Sequence, residues 1–193
     1  SPEVSGGRGS TLAPGIVWFS GDVVWGQGTF FNSVLVSSNL QTGANNVTSA
    51  VNHAGYQAVC ANQSFPGLTP SQLCDLSRQV MKASQVGNIG MLAGSYRNGV
   101  TFVGGVIDLT ANITVNGSIL AGDVLRTGGS TGVRGFTTTA GQGGGNNANA
   151  LSASTTLDMS NLPAGYDPGN TDPGQGGTGA GSARAVIRFS RYL

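Results

Sequence analysis

A repeated segment constrains the fold of this chain more than any other feature. Residues 29–43 recur in outline as residues 114–128, at a constant offset. The positions identical in both copies pair as Thr29/Thr114, Ser33/Ser118, Leu35/Leu120, Leu40/Leu125, Thr42/Thr127 and Gly43/Gly128. Self-similarity of this kind indicates a fold that stacks like units. Because a polar, mixed segment separates the copies and no third copy follows, we expect two β layers of one compact domain.

Short apolar series with a six-residue spacing support a β fold. The series are Ile107, Ile113, Ile119 and Leu125, and, earlier in the chain, Phe19, Trp25 and Phe31. Turn-forming residues lie between their members, as expected for short strands whose inward side chains stack upon one another. The sequence therefore predicts a mainly β, β-helix-like (β-solenoid) single domain. A β-sandwich with short strands is the alternative architecture.

One helix is predicted at about residues 70–83. Thr69 can cap it, Pro70 fits its first position, and Gln72 can reach back to the cap amide. Three apolar side chains then fall on one face at helical spacing: Leu73, Leu76 and Val80. We expect this helix to cover a sheet edge. Residues 50–60 can hold a second, short helix.

The segments between these elements suggest domain boundaries and contact surfaces. The predicted organisation is an extended arm at 1–14, a β-rich domain at 15–183 with a helical insert at 48–83 and flexible loops at 141–149 and 174–181, and a C-terminal strand at 184–193. That strand closes its own domain or adds to the sheet of a neighbour. The predicted assembly residues are Val4, Leu12, Ile187, Phe189, Tyr192 and Leu193.

Composition limits the classes of partner. Only 9% of the residues are charged and the formal net charge is +1. This argues against nucleic acid, because binding phosphates needs a basic face. No apolar run reaches the roughly 20 residues that span a bilayer, so no membrane span is expected. A net charge near zero gives little protection against self-association, which suits a filament subunit.

Two cysteines indicate the compartment. Cys60 and Cys74 are the only cysteines, and they lie close together in a chain rich in glycine and asparagine. Such a pair predicts a disulfide and an oxidising environment, with two buried reduced thiols as the alternative.

Candidates for catalysis and ligand binding are few. A serine triad needs a histidine base, and the chain has one histidine, His53, without an acidic residue beside it in sequence. Asp22 and Asp123 stand in turn-like contexts. We therefore expect no enzyme activity and no cofactor, apart from a possible calcium ion.

Two kinds of ligand site are nevertheless suggested by local composition. Oxygen ligands for calcium are concentrated at Asp167, Asn170 and Asp172, although Asx turns explain the same residues. An aromatic cluster near the N-terminus includes Trp18 and Trp25, which serve either core packing or stacking against surface glycans.

Five short motifs resemble a known family. They are 14–22 (PGIVWFSGD), 52–56 (NHAGY) ahead of the two cysteines, 87–94 (GNIGMLAG), 117–122 (GSILAG) and 162–169 (LPAGYDPG). Together they resemble the C-terminal, non-pilin part of PilX-type type IV pilus assembly proteins of Gram-negative bacteria. The family's hydrophobic N-terminal helix has no counterpart in this sequence, so either it was removed or the β module is used in another way.

This resemblance implies an extracellular or cell-surface structural protein of bacteria. We expect a subunit or decoration of a filament or pilus, acting in adhesion or biofilm and assembling through β contacts of its termini. The expected partners are copies of itself, pilus components or surface glycans. A carbohydrate- or surface-binding adhesin module is the alternative function.

Overall fold

The computed structural model describes residues 3–4, 12–82, 84–144 and 148–160. The described chain is mainly β, with 43% strand and one helix. The helix is α1 (Val51–Val59), and a 3₁₀ turn occupies Val86–Asn88. The predicted loop at 174–181 and strand at 184–193 lie outside the described residues.

The strands are short. In chain order they are β1 (Glu3–Val4), β2 (Gly15–Phe19), β3 (Val23–Trp25), β4 (Gly28–Phe30), β5 (Asn32–Val36), β6 (Leu40–Thr42), β7 (Asn46–Ser49), β8 (Cys74–Asp75), β9 (Val80–Met81), β10 (Ile89–Ala93), β11 (Ser95–Arg97), β12 (Thr101–Val103), β13 (Ile107–Leu109), β14 (Ile113–Asn116), β15 (Ser118–Ala121), β16 (Leu125–Thr127), β17 (Thr131–Arg134), β18 (Thr137–Thr139) and β19 (Thr156–Asp158).

Most of these strands form three parallel five-stranded sheets. Sheet I has the order β2-β5-β10-β15-β18, sheet II β1-β3-β6-β13-β16, and sheet III β4-β7-β14-β17-β19. From β2 to β18 the chain visits sheets I, II and III in that order and returns each time to sheet I. Among the described residues between β18 and β19, the β pairing with sheet II is limited to a bridge from Ala150 to Arg126, and β19 then joins sheet III. All pairings within the three sheets are parallel. This arrangement differs from the facing antiparallel sheets of a β-sandwich.

The repeated segments occupy equivalent positions in the sheets. In each sheet, one strand lies between a strand of the first copy and its counterpart in the second copy. This middle strand is β10 in sheet I, β13 in sheet II and β7 in sheet III. The register agrees with the sequence alignment, since Val34 and Ile119 both pair with Met91. The repeat therefore marks two parts of one β structure, separated by strands that belong to neither copy.

Each member of the six-residue series places an apolar side chain of a different strand in the core. Ile107, Ile113, Ile119 and Leu125 are almost completely buried, and they lie in sheets II, III, I and II in turn. Because side chains alternate between the two faces of a strand, the core also takes in the residues two positions further on, Leu109, Val115 and Ala121, while the residue between each pair points outward. In the earlier series Phe30, rather than Phe31, is fully buried.

An insert interrupts the sheets between β7 and β10. It contains α1, the antiparallel pair β8–β9 and the 3₁₀ turn. Helix α1 is short and is interrupted at Gly55, which has a φ of 78° that glycine adopts without strain. A small apolar cluster of its own holds the insert together: Val51, Val59, Cys60, Leu73 and Cys74. In the described part of the chain, no helix has both the length and the apolar character needed to cross a bilayer.

The helix predicted at 70–83 is wrong. Residues 70–82 form a turn and the two-residue strands β8 and β9 instead. Of the predicted apolar face only Leu73 is buried, whereas Leu76 and Val80 are largely exposed. A helix this short needs a buried face to be stable, and the local capping signal could not replace one. The helix of the insert lies instead within residues 50–60, where the sequence allowed a short one.

A second excursion separates β10 from β13. Strands β11 and β12 form an antiparallel hairpin, and Tyr96 packs edge-on against Phe102 at a ring distance of 5.3 Å. The ring of Phe102 lies against Gly94 and Gly122, where any side chain would collide with it. The connecting residue Val100 is 82% exposed at the tip.

Candidate functional site

The two cysteines form the predicted disulfide. The sulfur atoms of Cys60 and Cys74 are 2.07 Å apart and close a loop with a sequence separation of 14. The bond joins the end of α1 to β8 and lies within the small apolar cluster of the insert. It therefore stabilises the insert rather than the sheets.

Trp25 belongs to the core, so its predicted role in glycan stacking is wrong. Its side chain is fully buried, and its indole Nε1 donates a hydrogen bond of 2.8 Å to the Thr48 hydroxyl. The ring packs against Phe30 at a centroid distance of 4.4 Å. Trp25 faces inward because it follows Val23 by two positions on β3, on the core-facing side of the strand.

Trp18 is placed differently. It lies on β2, the edge strand of sheet I, and is 65% exposed. Its register continues through Leu35, Leu92 and Leu120, which point outward and are half-buried. Trp18 therefore remains available for stacking against a ligand, and that role stays a prediction.

The C-terminal end of the sheets leaves a core-facing side chain uncovered. Leu157 on β19 is in register with Val133, which is completely buried. Leu157 is nevertheless 42% exposed, because no described strand lies beyond β19. Two further large apolar side chains near this end, Leu151 and Met159, are about half exposed. Among the described residues, β18 and β19 each have one unpaired edge.

The opposite end also has unpaired edges. Strand β2 pairs only with β5, and β4 pairs only with β7, within the described part of the chain. Of the predicted assembly residues, Val4 lies on β1 and pairs with Trp25 of its own chain. Leu12 packs partly buried against the main core. The remaining ones, Ile187, Phe189, Tyr192 and Leu193, lie outside the described residues.

A polar row crosses the outer face of sheet II at the start of its strands. Asp22 Oδ1 accepts hydrogen bonds of 3.0 Å from both the backbone N–H and the side-chain amide of Asn39. The Asn39 side-chain oxygen in turn accepts the backbone N–H of Val106 at 3.1 Å. Hydrogen bonds, chiefly from Ser38 and then from Asn39, lower the pKa of Asp22. Its carboxylate is therefore ionised and held in place.

A second row lies two residues further along the same strands. Its members are Val24, Gln41, Asp108 and Arg126, in direct register across four strands. The two rows border a groove of about 380 Å³. Gln41 and Arg126 are exposed and Asp108 is half-buried.

The sequence contained an unrecognised sign of this groove. Gln41 and Arg126 occupy equivalent positions of the two repeat copies, in the triplets Leu-Gln-Thr and Leu-Arg-Thr. In both copies this polar residue lies between two inward-facing residues. The two polar side chains therefore project from the same outer face of sheet II. The groove could be recognised only once the copies were known to stack in the same sheet.

Metal-binding side chains are not concentrated in the described ranges. Across these residues, no three histidine, cysteine or acidic side chains come together as a candidate metal site. The predicted calcium ligands Asp167, Asn170 and Asp172 lie outside the described residues, so that site stays a prediction.

Comparison with other proteins gives no relative from which a function could be transferred. No protein-family model, curated protein or solved structure matches the chain. The resemblance to PilX-type proteins therefore stays a prediction.

Proposed function

We propose that the three parallel sheets are the walls of a β-helix. The fixed order in which the chain visits them supports this, because each of the four circuits between β2 and β17 adds one strand to every wall. The distance of 18 residues from Ile107 to its neighbour Leu125 is then one full circuit. The insert and the β11–β12 hairpin are excursions from two corners of the same circuit.

The protein acts as a structural subunit of a bacterial surface filament, in adhesion or biofilm. Leu157 carries this proposal, because a core-facing leucine left 42% exposed is a natural place for another layer of β structure. Unpaired strand edges next to it add backbone donors and acceptors that favour pairing with another chain.

End-to-end stacking of copies would pair the free strand edges at both ends of each copy. Because all three sheets are parallel, β18 of one copy can pair with β2 of the next, and β19 with β4, in the same strand direction. Such a contact joins two different surfaces, and a heterologous contact that does not close into a ring produces an open filament. A charged content of only 9% presents little repulsion between copies.

An extracellular location is supported by the Cys60–Cys74 disulfide, since such bonds persist mainly in oxidising compartments. The resemblance to PilX-type proteins points in the same direction. It makes pilus components possible partners besides further copies of the chain.

The experiment is negative-stain microscopy together with sedimentation, across protein concentration, salt and calcium. We expect the native protein to form filaments. Leu157→Lys places a charge at the end of the core and should raise the concentration needed for assembly by at least about tenfold, a modest change on the scale of interface energies.

Val100→Lys is the matched control, because it changes an even more exposed apolar residue on the hairpin, away from both ends. Assembly of this variant should equal that of the native protein. Monodisperse native monomers under every condition would overturn the proposal, and so would equal effects of the two lysines.

A second function, glycan binding by an adhesin module through its aromatic cluster, is supported by the exposure of Trp18. Loss of glycan binding in Trp18→Ala, with unchanged folding, would favour it. Unchanged binding in that variant would remove Trp18 from consideration.

A further inference from the structure

The second row of the groove on sheet II differs from two polar pairs elsewhere on the surface. Asn116 on β14 donates a hydrogen bond of 2.9 Å to Ser49 on β7, and Asn112, just before β14, donates one of 3.1 Å to Asn45, just before β7. Gln41, Asp108 and Arg126 make no such bond in the described part of the chain, although Asp108 and Arg126 are direct neighbours in register.

We propose that this groove binds a neutral oligosaccharide. Asp108 supplies a hydrogen-bond acceptor, Arg126 a set of donors, and Gln41 both. Adjacent sugar hydroxyls each donate and accept, so this combination of groups matches them better than it matches a purely anionic or cationic ligand.

The shape of the groove suits an extended chain of sugar rings. Neighbouring strands lie about 4.8 Å apart, so the row from Val24 to Arg126 is roughly 14 Å long. The rise of one ring in an extended glycan is close to the strand spacing, which allows each ring to meet a new side chain. Val24 and Val106 supply apolar surface for the C–H faces of the rings.

Charge selects against acidic sugars. Among the described residues that line it, the groove contains two carboxylates, Asp22 and Asp108, and one guanidinium, that of Arg126. A uronate would approach more negative than positive charge, and unfavourable pairings of this kind are a common source of specificity. We therefore expect neutral oligosaccharides to bind more tightly than uronic acid oligomers of equal length.

The groove opens on the outer face of sheet II and is lined by residues of a single copy of the chain, although Arg126 lies on β16, the last strand of that sheet. Its function therefore does not depend on assembly. If copies do stack end to end, the groove recurs in every subunit, and repetition raises the avidity for a long polysaccharide without a new contact.

Calorimetric titration tests the proposal with tetrasaccharides of glucose, galactose, mannose and N-acetylglucosamine, and with a tetra-uronate. We expect at least one neutral tetrasaccharide to bind, with the tetra-uronate weaker. Arg126→Ala and Gln41→Ala should each weaken binding, Arg126→Ala by about tenfold or more, which corresponds to one hydrogen bond to a charged group.

Arg134→Ala is the matched control, because Arg134 is also an exposed arginine on a parallel strand but lies in sheet III. It should leave affinity unchanged, and circular dichroism of all variants checks that the fold is retained. The proposal is overturned if no neutral tetrasaccharide binds at millimolar concentration, if the groove variants bind as tightly as the native protein, or if only Trp18→Ala abolishes binding.

Discussion

The three-sheet core and the insert between β7 and β10 are stabilised in different ways. In the core, apolar residues such as Ile107 and Leu125 stack on equivalent residues of neighbouring strands, in a single large cluster. The insert has a much smaller cluster, and a disulfide crosses it. Burial of apolar surface therefore stabilises the first region, whereas the second depends on a covalent bond.

The two regions should therefore respond differently to destabilising substitutions. In the core each inner strand pairs with a strand on both sides, so a defect in one strand affects both of its neighbours. The insert contacts the sheets through few elements, mainly α1 against β2 and the 3₁₀ turn against β5. It should therefore be able to unfold locally while the sheets remain intact.

Replacing the central tryptophan should give the largest effect. Trp25→Ala removes a fully buried ring that contacts Phe30 and leaves the Thr48 hydroxyl without its donor. We expect a loss of about 4 kcal/mol in the free energy of unfolding, because large-to-small aromatic changes in a core cost this much. Chemical denaturation followed by circular dichroism measures it.

A conservative variant separates packing from hydrogen bonding. Trp25→Phe keeps most of the apolar volume and loses the bond to Thr48, so it should cost clearly less than Trp25→Ala. If Trp25→Ala unfolds at the same denaturant concentration as the native protein, the assignment of Trp25 to the core is wrong.

Removing the disulfide should give the next largest effect, and it should be local. In the double variant Cys60→Ala/Cys74→Ala we expect a loss of about 3 kcal/mol, the value for closing a loop of about this length. Hydrogen exchange should show faster exchange in residues 51–82, with the amides of the three sheets still protected. Equal loss of protection in β14 and β15 would show that the two regions unfold together.

The same contrast explains what the sequence could predict. The repeat and the six-residue spacing predicted the β core, because every layer meets the same requirement for an inward apolar residue. Val34 and Ile119 were aligned from sequence and proved to share the partner Met91. Each further strand that fits a periodic pattern strengthens the prediction of the β core.

The insert and the ligand surfaces were harder to predict because they depend on single contacts. The capping pattern at Thr69 was plausible locally, yet Leu76 is 59% exposed and no helix formed there. Trp18 and Trp25 both lie in short apolar segments of the sequence. Only the strand boundaries decide which of the two faces the core. The groove at Gln41 and Arg126 required knowledge of which strands are neighbours.

The smallest expected effect is a pH dependence that belongs to the insert. His53 lies on α1, and burial, with a smaller contribution from the charge of Arg134, lowers its pKa from the ordinary 6.5. The folded chain thus binds this proton less readily than the unfolded chain. The contribution of His53 to stability is therefore complete above about pH 6.5 and is lost as the pH falls through the lowered pKa.

We expect the melting temperature to drop by less than about 3 °C between pH 7.5 and 5.5, a small change for a chain of this size. In His53→Gln this drop should shrink, and an identical pH profile in both proteins would contradict the assignment. The three aspartates with lowered pKa values, Asp22, Asp75 and Asp158, lose their contribution only below their ordinary value of 3.8, outside this window.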